Sequence, residues 1–338
     1  MISIYKPSDF HVHLREGKIL NQALKENIAY FQKILVMPNL KKPITNSKRL
    51  ISYRNQIESI NKNKIKILFT IYLNSEWSTK EIVNCYKNKL FFAAKLYPKN
   101  ATTNSKTGFS DIKDLTKYFY ILEKHNIPLC LHGESISYQD DPFDREKKFL
   151  EKELSWLRKH FPNLKITLEH ITTKDAVDYV KENKNISASI TTHHLLENTN
   201  SFLGDSLKPE LFCKPIIKNR NHQISLQKIA LSGHKNFFFG SDSAPHYKKL
   251  KFNNECCAGV YSTKYSISNI IEFFSQNKKT KNLNKFLSLN GNAHYGLDFL
   301  RKEISFKKIK NYKFQKLSKC GDDFLCHYNH FRDYWSKI

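Results

Sequence analysis

Short apolar segments alternate with longer amphipathic segments along most of the 338-residue chain. Parallel strands need long crossover connections, usually helices, so this alternation predicts βα units. With no Gly/Ser-rich linker, it predicts one (β/α)₈ barrel domain over residues 1–338, and a doubly wound open sheet is the alternative. The candidate strands span 9–13, 33–37, 65–73, 90–96, 128–132, 164–170, 186–191 and 236–242, and the clearest helical patterns span 20–31, 110–125 and 144–161.

Polar side chains stand at the ends of these apolar strands, where a buried strand would otherwise be apolar. In a parallel barrel the carboxyl ends of the strands meet at one mouth, where the chemistry of this fold takes place. We therefore expect these side chains to converge on a single site. They are His11, His13, Asn39, Lys95, His132, His170 and Asp242.

Four histidines, one aspartate and one lysine indicate a two-metal hydrolytic centre. His11 and His13 point to the same face of an extended strand, and neutral imidazoles and carboxylates suit Zn²⁺. Lys95 is anomalous, because an ammonium group repels metal ions. Either Lys95 is a salt-bridged buried lysine, or its amine has reacted with CO₂ to give a carboxylate that bridges two metals about 3.5–4 Å apart.

Composition limits the other function classes. The net charge is +25, but the lysines are spread along the chain, so we expect small anionic substrates and no nucleic-acid partner. No apolar run reaches the roughly 18 residues of a membrane span, and the N-terminal sequence lacks the features of a signal peptide. Seven irregularly spaced cysteines fit a reducing compartment. These features predict a cytoplasmic protein without a membrane partner.

Eight motifs give the chain a family resemblance. They are "DFHVHLR", "VMPNL", "AAKLYPKNATTNS", "PLCLHGE", "LEHITTKDAVDYV", "KPIIKNRNHQ", "GSDSAPH" and "NGNAHYGL". Their order and spacing resemble those of the single-domain bacterial dihydroorotases, in the amidohydrolase superfamily. The resemblance extends to about residue 297, and the segment 298–338 is expected to be a weakly matched tail that packs on the barrel.

The resemblance implies a role for each strand-end residue. His11, His13 and Asp242 would hold the more buried zinc ion, and His132 and His170 the second. Lys95, as N6-carboxylysine, would bridge the two ions. His193 and His194, in "ITTHHLLEN", would be loop residues or supporting residues, because the family does not use His193 as a ligand.

The resemblance also implies a set of substrate contacts. Arg15, Asn39 and His246 would bind the substrate carboxylate, Ala258 would bind through its backbone, and Thr102 and Thr103 would form the tip of a mobile loop. Lys214 stands where the family usually has an apolar residue whose backbone touches substrate, so its added charge is a departure. The full implied set is His13, Arg15, Asn39, Thr102, Thr103, His132, Lys214, His246 and Ala258.

The reaction implied by the resemblance is the reversible cyclisation of N-carbamoyl-L-aspartate to L-dihydroorotate in de novo pyrimidine (UMP) biosynthesis. In the hydrolytic direction a metal-bridging hydroxide would attack the ring amide, with Asp242 as general acid and base. The resemblance also implies a homodimer. The alternatives are a cyclic amide hydrolase of the hydantoinase or dihydropyrimidinase type, and a catalytically inactive scaffolding relative.

Overall fold

Eight parallel strands form the central sheet of the protein, which we describe from a computed structural model of residues 1–338. The sheet contains β2 to β9 in sequential order, which confirms the predicted barrel topology. Each of the eight predicted apolar segments contains most or all of one strand. The thirteen strands are β1 (Ile2–Tyr5), β2 (Ser8–Val12), β3 (Lys33–Val36), β4 (Lys66–Tyr72), β5 (Ala93–Leu96), β6 (Leu129–His132), β7 (Ile166–Glu169), β8 (Ile186–Ile190), β9 (Phe237–Phe239), β10 (Glu303–Ile309), β11 (Leu317–Cys320), β12 (Asp323–Cys326) and β13 (Tyr334–Lys337).

The sheet closes where the chain that leaves β9 meets β2. The backbone N–H of Asp242 donates to His11 O at 2.9 Å, and the N–H of His13 donates to Ser243 O at 3.0 Å. A parallel bridge between Val12 and Ser243 continues this contact. These bonds satisfy backbone groups that an open edge would leave unpaired, so they exclude the doubly wound alternative.

Helices connect and cover the strands, and all three helical patterns predicted from the sequence are confirmed. Several helices begin at a side chain that accepts a hydrogen bond from the first turn, such as Asn46, Ser78 and Thr173. None of the helices is long and apolar enough to cross a membrane. The α-helices are Gly17–Tyr30, Ser47–Asn61, Thr79–Lys87, Thr116–Lys124, Arg145–Phe149, Ser155–His160, Lys174–Glu182, Thr192–Leu196, Thr199–Leu203, Arg220–Ser232, Lys248–Lys251, Thr263–Gln276 and Asn290–Tyr295; 3₁₀-helices span Ile112–Leu115, Pro209–Leu211 and Thr280–Asn282, and π-helical turns span Leu150–Leu154 and Lys285–Leu289.

The C-terminal tail packs against the barrel and shares its apolar core. Strand β10 pairs with both β1 and β13 in an antiparallel sheet. Trp335 on β13 is buried in the same apolar cluster as the barrel strands, and its indole Nε1 donates to Glu272 Oε2 at 2.7 Å. This shared core supports our proposal that residues 1–338 form one domain.

Trp335→Ala tests whether the tail belongs to the barrel core. We expect a loss of about 3–5 kcal/mol in the free energy of unfolding, because the substitution removes a large buried side chain and one partner of Glu272. Urea unfolding followed by circular dichroism measures it. Tyr138→Ala, which removes a fully exposed aromatic ring, is the control. Equal unfolding midpoints for the two variants would show that the tail does not stabilise the barrel.

Candidate metal centre

The six predicted ligands lie together at the carboxyl end of the barrel, and we call this group the mouth centre: His11, His13, Lys95, His132, His170 and Asp242. Asp242 Oδ1 is 2.9 Å from His13 Nε2 and 3.3 Å from His11 Nε2. The rings of His11 and His132 each have their centroid 4.9 Å from that of His170. All six residues are at most 7% exposed. The barrel therefore brings together side chains that are far apart in sequence, such as His13 and Asp242, which are separated by 229 positions.

Three residues of the site have backbone φ angles in the left-handed region, at points where a strand ends. They are Arg15 (φ 60°), His170 (φ 42°) and Asp242 (φ 46°). This conformation is unfavourable for residues other than glycine and persists where the surrounding structure enforces it. The backbone turns so that these three side chains face the mouth of the barrel.

Unpartnered polar atoms in the mouth centre fit metal binding. His11 Nε2, His170 Nδ1 and Lys95 Nζ are buried and have no hydrogen-bond partner. Such atoms are costly inside a protein unless something binds them. His11, His13 and Asp242 each offer one ligand atom, and the three atoms lie within 4.8 Å of one another. Nitrogen and oxygen donors of this kind suit Zn²⁺.

The protonation states also suit metal ligands. Burial lowers the pKa of His13 to about 4, so the imidazole is neutral and keeps a free electron pair at neutral pH. Burial by itself would raise the pKa of Asp242, but the hydrogen bond with His13 and the nearby His11 and His170 hold that pKa well below its usual range. Burial also lowers the pKa of Lys95, which favours its neutral amine.

Two glutamates that the sequence analysis did not assign hold the histidines in place. Glu169 Oε2 is 2.9 Å from His11 Nδ1, and Glu134 Oε2 is 2.6 Å from His132 Nε2. Both glutamates are buried. A carboxylate behind a metal-binding histidine fixes the ring and its tautomer. The sequence contained a signal for these two glutamates, because they lie inside the motifs "LEHITTKDAVDYV" and "PLCLHGE".

The predicted carboxylate contacts border the mouth centre. Arg15 Nη2 is 3.0 Å from His246 Nε2, and Asn39 donates from Nδ2 to Thr103 O at 3.1 Å. Burial, and then the charge of Arg15, keep the pKa of His246 well below its usual value, so His246 is neutral. His246 Nε2 is 3.0 Å from both Arg15 Nη2 and Ala258 O, so it binds one or the other according to its tautomer. The residues that line this part of the mouth include His13, Arg15, Asn39, Thr102, Thr103, Lys214, Asp242 and Ala258.

The loop that carries Thr102 and Thr103 is closed over the mouth. Thr103 Oγ1 donates to Ala258 O at 3.1 Å, which joins the loop to the opposite wall. The cavity that remains is about 10 Å³, room for about one water molecule. A substrate larger than water needs more room than this, and movement of the loop would provide it. Residues 97–108 form no helix, as the sequence predicted.

His193 and His194, which were expected to be loop residues or supporting residues, lie on the short helix Thr192–Leu196 and not in a loop. The Thr191 hydroxyl accepts from the backbone N–H of His194 and caps this helix. Both histidines are buried.

Known proteins resemble this chain over nearly its whole length. The model of the Amidohydrolase family matches residues 7–300. A dihydroorotase of Buchnera aphidicola is 44% identical over 311 residues, which cover 91% of this chain and 89% of the relative. The chain belongs to the dihydroorotase family of amidohydrolases. It is therefore an enzyme of the cyclic amide hydrolase class.

Two solved dihydroorotase structures have the same fold. The enzyme from Campylobacter jejuni superposes with a TM-score of 0.90 at 33% identity, covering 99% of this chain and 97% of that chain. The enzyme from Saccharomyces cerevisiae, in complex with 5-fluoroorotic acid, gives a TM-score of 0.91 at 31% identity, covering 100% and 98%. The dihydroorotase fold thus includes the C-terminal tail.

Glu169→Gln tests the support of His11. We expect metal affinity to fall about 10- to 100-fold, because the neutral amide holds the imidazole less firmly and makes it a weaker donor. A competition titration with a zinc-sensitive chelator measures the affinity. Glu182→Gln, at an exposed position, is the matched control. A metal affinity equal to that of the control would show that Glu169 does not support His11 in metal binding.

Proposed function

We propose that the protein is a zinc-dependent dihydroorotase that interconverts N-carbamoyl-L-aspartate and L-dihydroorotate in pyrimidine biosynthesis. One observation carries this proposal: a guanidinium group, Arg15, borders a buried set of metal-ligand residues. The guanidinium group would recognise a carboxylate, and the metal-ligand residues would support hydrolysis of an amide. Dihydroorotate contains both groups on one ring.

We assign two zinc ions to the mouth centre. His11, His13 and Asp242 would hold one ion, and His132 and His170 the other. When bound, such ions act as Lewis acids that activate water and polarise an amide carbonyl. The chemistry of the donor set supports this assignment, because imidazole nitrogens and a carboxylate oxygen are donors that zinc accepts.

Lys95 would link the two zinc groups as N6-carboxylysine. Its side chain is fully buried, and Nζ has no hydrogen-bond partner. An unmodified ammonium in this position would add a third cation to a buried site. A carboxylate on Nζ would instead supply two oxygen ligands and one negative charge, which offsets part of the charge of two zinc ions.

Asp242 would move the proton in the reaction. Its carboxyl group is ionised, because the pKa lies well below the usual range, so it is able to accept a proton at neutral pH. In ring opening it would accept the proton of the attacking hydroxide and transfer it to the leaving nitrogen. In ring closure it would take a proton back from that nitrogen. The contact of Oδ1 with His13 holds the carboxylate at the centre.

The ring carboxylate separates this proposal from a hydantoinase or dihydropyrimidinase, whose substrates lack that group. Arg15 is able to bind a carboxylate through two parallel N–H donors. The yeast relative is in complex with 5-fluoroorotic acid, which also carries a ring carboxylate. The homodimer, the cytoplasmic location and the lack of a nucleic-acid partner remain predictions.

Arg15→Lys tests the substrate assignment. The wild-type protein should hydrolyse L-dihydroorotate and be far slower on hydantoin and dihydrouracil. The variant keeps the charge but loses the planar fork, so we expect kcat/KM for dihydroorotate to fall by about one to two decades, or about 1.5–3 kcal/mol. Arg301→Lys, at an exposed position, is the control. Unchanged kinetics in Arg15→Lys, or a wild type that prefers hydantoin, would contradict the proposal.

Thr103→Val tests whether closure of the loop contributes to the rate. The substitution removes the bond to Ala258 O and should lower kcat at least about tenfold, near 1.4 kcal/mol, because a loosely closed loop admits water. Metal content and melting temperature should not change. Thr280→Val, an exposed threonine elsewhere, is the control. A Thr103→Val variant with the parent kcat would show that the loop is only a connection.

A further inference from the structure

A second group of metal-ligand side chains lies outside the mouth centre, and we call it the Cys213 cluster: His193, His194 and Cys213. The two histidines lie on the short helix after β8, and Cys213 lies on the segment that follows the 3₁₀-helix Pro209–Leu211. One ligand atom from each residue lies within 4.8 Å of the others. All three side chains are at most 2% exposed.

His193 has no hydrogen-bond partner on either ring nitrogen, although it is fully buried. A neutral imidazole has one donor and one acceptor, and burial of each without a partner is unfavourable. The aromatic rings around it, such as Tyr328 with a centroid distance of 6.3 Å, do not replace these bonds. A metal ion would bind one of the two nitrogens.

The other donors have distances suited to a small tetrahedral ion. Cys213 Sγ is 3.4 Å from His194 Nε2 and 3.3 Å from Pro215 O. Ligand atoms around tetrahedral zinc lie about 3.3–3.6 Å apart, given bonds of about 2.0–2.3 Å. Pro215 O, in contact with both Cys213 Sγ and His194 Nε2, is an oxygen that could occupy a fourth position.

The remaining nitrogen of His194 has a partner that fits the role of a ligand. His194 Nδ1 is 2.9 Å from Thr191 Oγ1. If Nδ1 carries the proton and donates to Thr191, Nε2 keeps its electron pair for a metal. In the absence of metal the opposite tautomer is satisfied, with Nε2 donating to Pro215 O. The geometry of His194 therefore serves both the metal-bound and the metal-free state, whereas a ring nitrogen of His193 gains a partner only when metal is bound.

We propose that His193, His194 and Cys213 bind a third, structural metal ion of the zinc class, separate from the mouth centre. Sulfur and imidazole donors together favour zinc, and a closed site of this kind stabilises the fold. Binding replaces the Cys213 thiol proton, which is released to solvent as the sulfur–metal bond forms. Burial raises the pKa of this thiol to about 12, so without metal it stays protonated.

The proposed ion would join two segments that are otherwise separate in the chain. It would fasten the segment 209–219, which includes Lys214 at the rim of the mouth, to the helix that follows β8. The Cys213 cluster would therefore fix one wall of the substrate cavity without touching substrate. This assignment does not depend on the reaction proposed above.

Cobalt substitution of the full-length protein tests the proposal, because Co²⁺ bound to a thiolate gives a near-ultraviolet charge-transfer band. The proposed ligands of the mouth centre contain no sulfur, so of the two sites only the Cys213 cluster should give this band. His193→Gln keeps the thiol and nearly the same volume; we expect the band to disappear and metal content to fall by about one ion per chain. Cys256→Ser, a thiol on a neighbouring loop, should keep both. A wild type without the band, or a His193→Gln variant with the full band, would overturn the proposal.

A variant with the mouth centre disabled separates the two sites. In His11→Ala/His13→Ala, activity should be lost while the cobalt band persists. Zinc X-ray absorption of this variant should show a sulfur neighbour at about 2.3 Å. If this variant lost the sulfur signal, the thiolate-bound metal would depend on His11 and His13 and would not occupy a separate site. That result would overturn the proposal. An inactive wild type that keeps the sulfur signal would count against the dihydroorotase function alone.

Discussion

Two backbone hydrogen bonds, from Asp242 to His11 and from His13 to Ser243, join the first and last strands of the barrel sheet at its carboxyl end. They place the carboxylate of Asp242 against the imidazoles of His11 and His13, although these residues lie far apart in sequence. A shift of one residue in this pairing would turn the side chains to the opposite face of the sheet. Closure of the barrel and assembly of the mouth centre are therefore the same structural event.

This arrangement is unfavourable in one respect, because it buries polar groups in an apolar barrel. Lys95 Nζ, His11 Nε2 and His170 Nδ1 have no partner in the protein, and three residues at the strand ends hold left-handed backbone angles. Glu169 and Glu134 offset part of this cost through their contacts with His11 and His132. The remaining cost is consistent with a site that is completed by metal ions, whose binding then stabilises the folded state.

The sequence predicted the barrel well, because eight strands buried on both faces leave near-continuous apolar segments that periodicity analysis detects. It also predicted that the polar residues at the strand ends would converge on one site, since polar residues at the ends of such strands have few structural uses. The sequence analysis did not assign a role to Glu169 and Glu134, because a carboxylate beside a histidine in sequence does not reveal which imidazole ring it contacts. The sequence could not pair His193 with Cys213 either: only folding brings the segment after β8 against the segment after Pro209–Leu211.

Anomalous diffraction at the zinc edge, from crystals of the zinc-loaded protein grown with bicarbonate, tests the central claim most directly. The account predicts two peaks about 3.5–4 Å apart at the mouth. One peak should lie among His11, His13 and Asp242 and the other beside His132 and His170, with density for a carboxylate on Lys95 Nζ between them. A bare Lys95 amine with no anomalous peak within reach of these histidines would contradict the account.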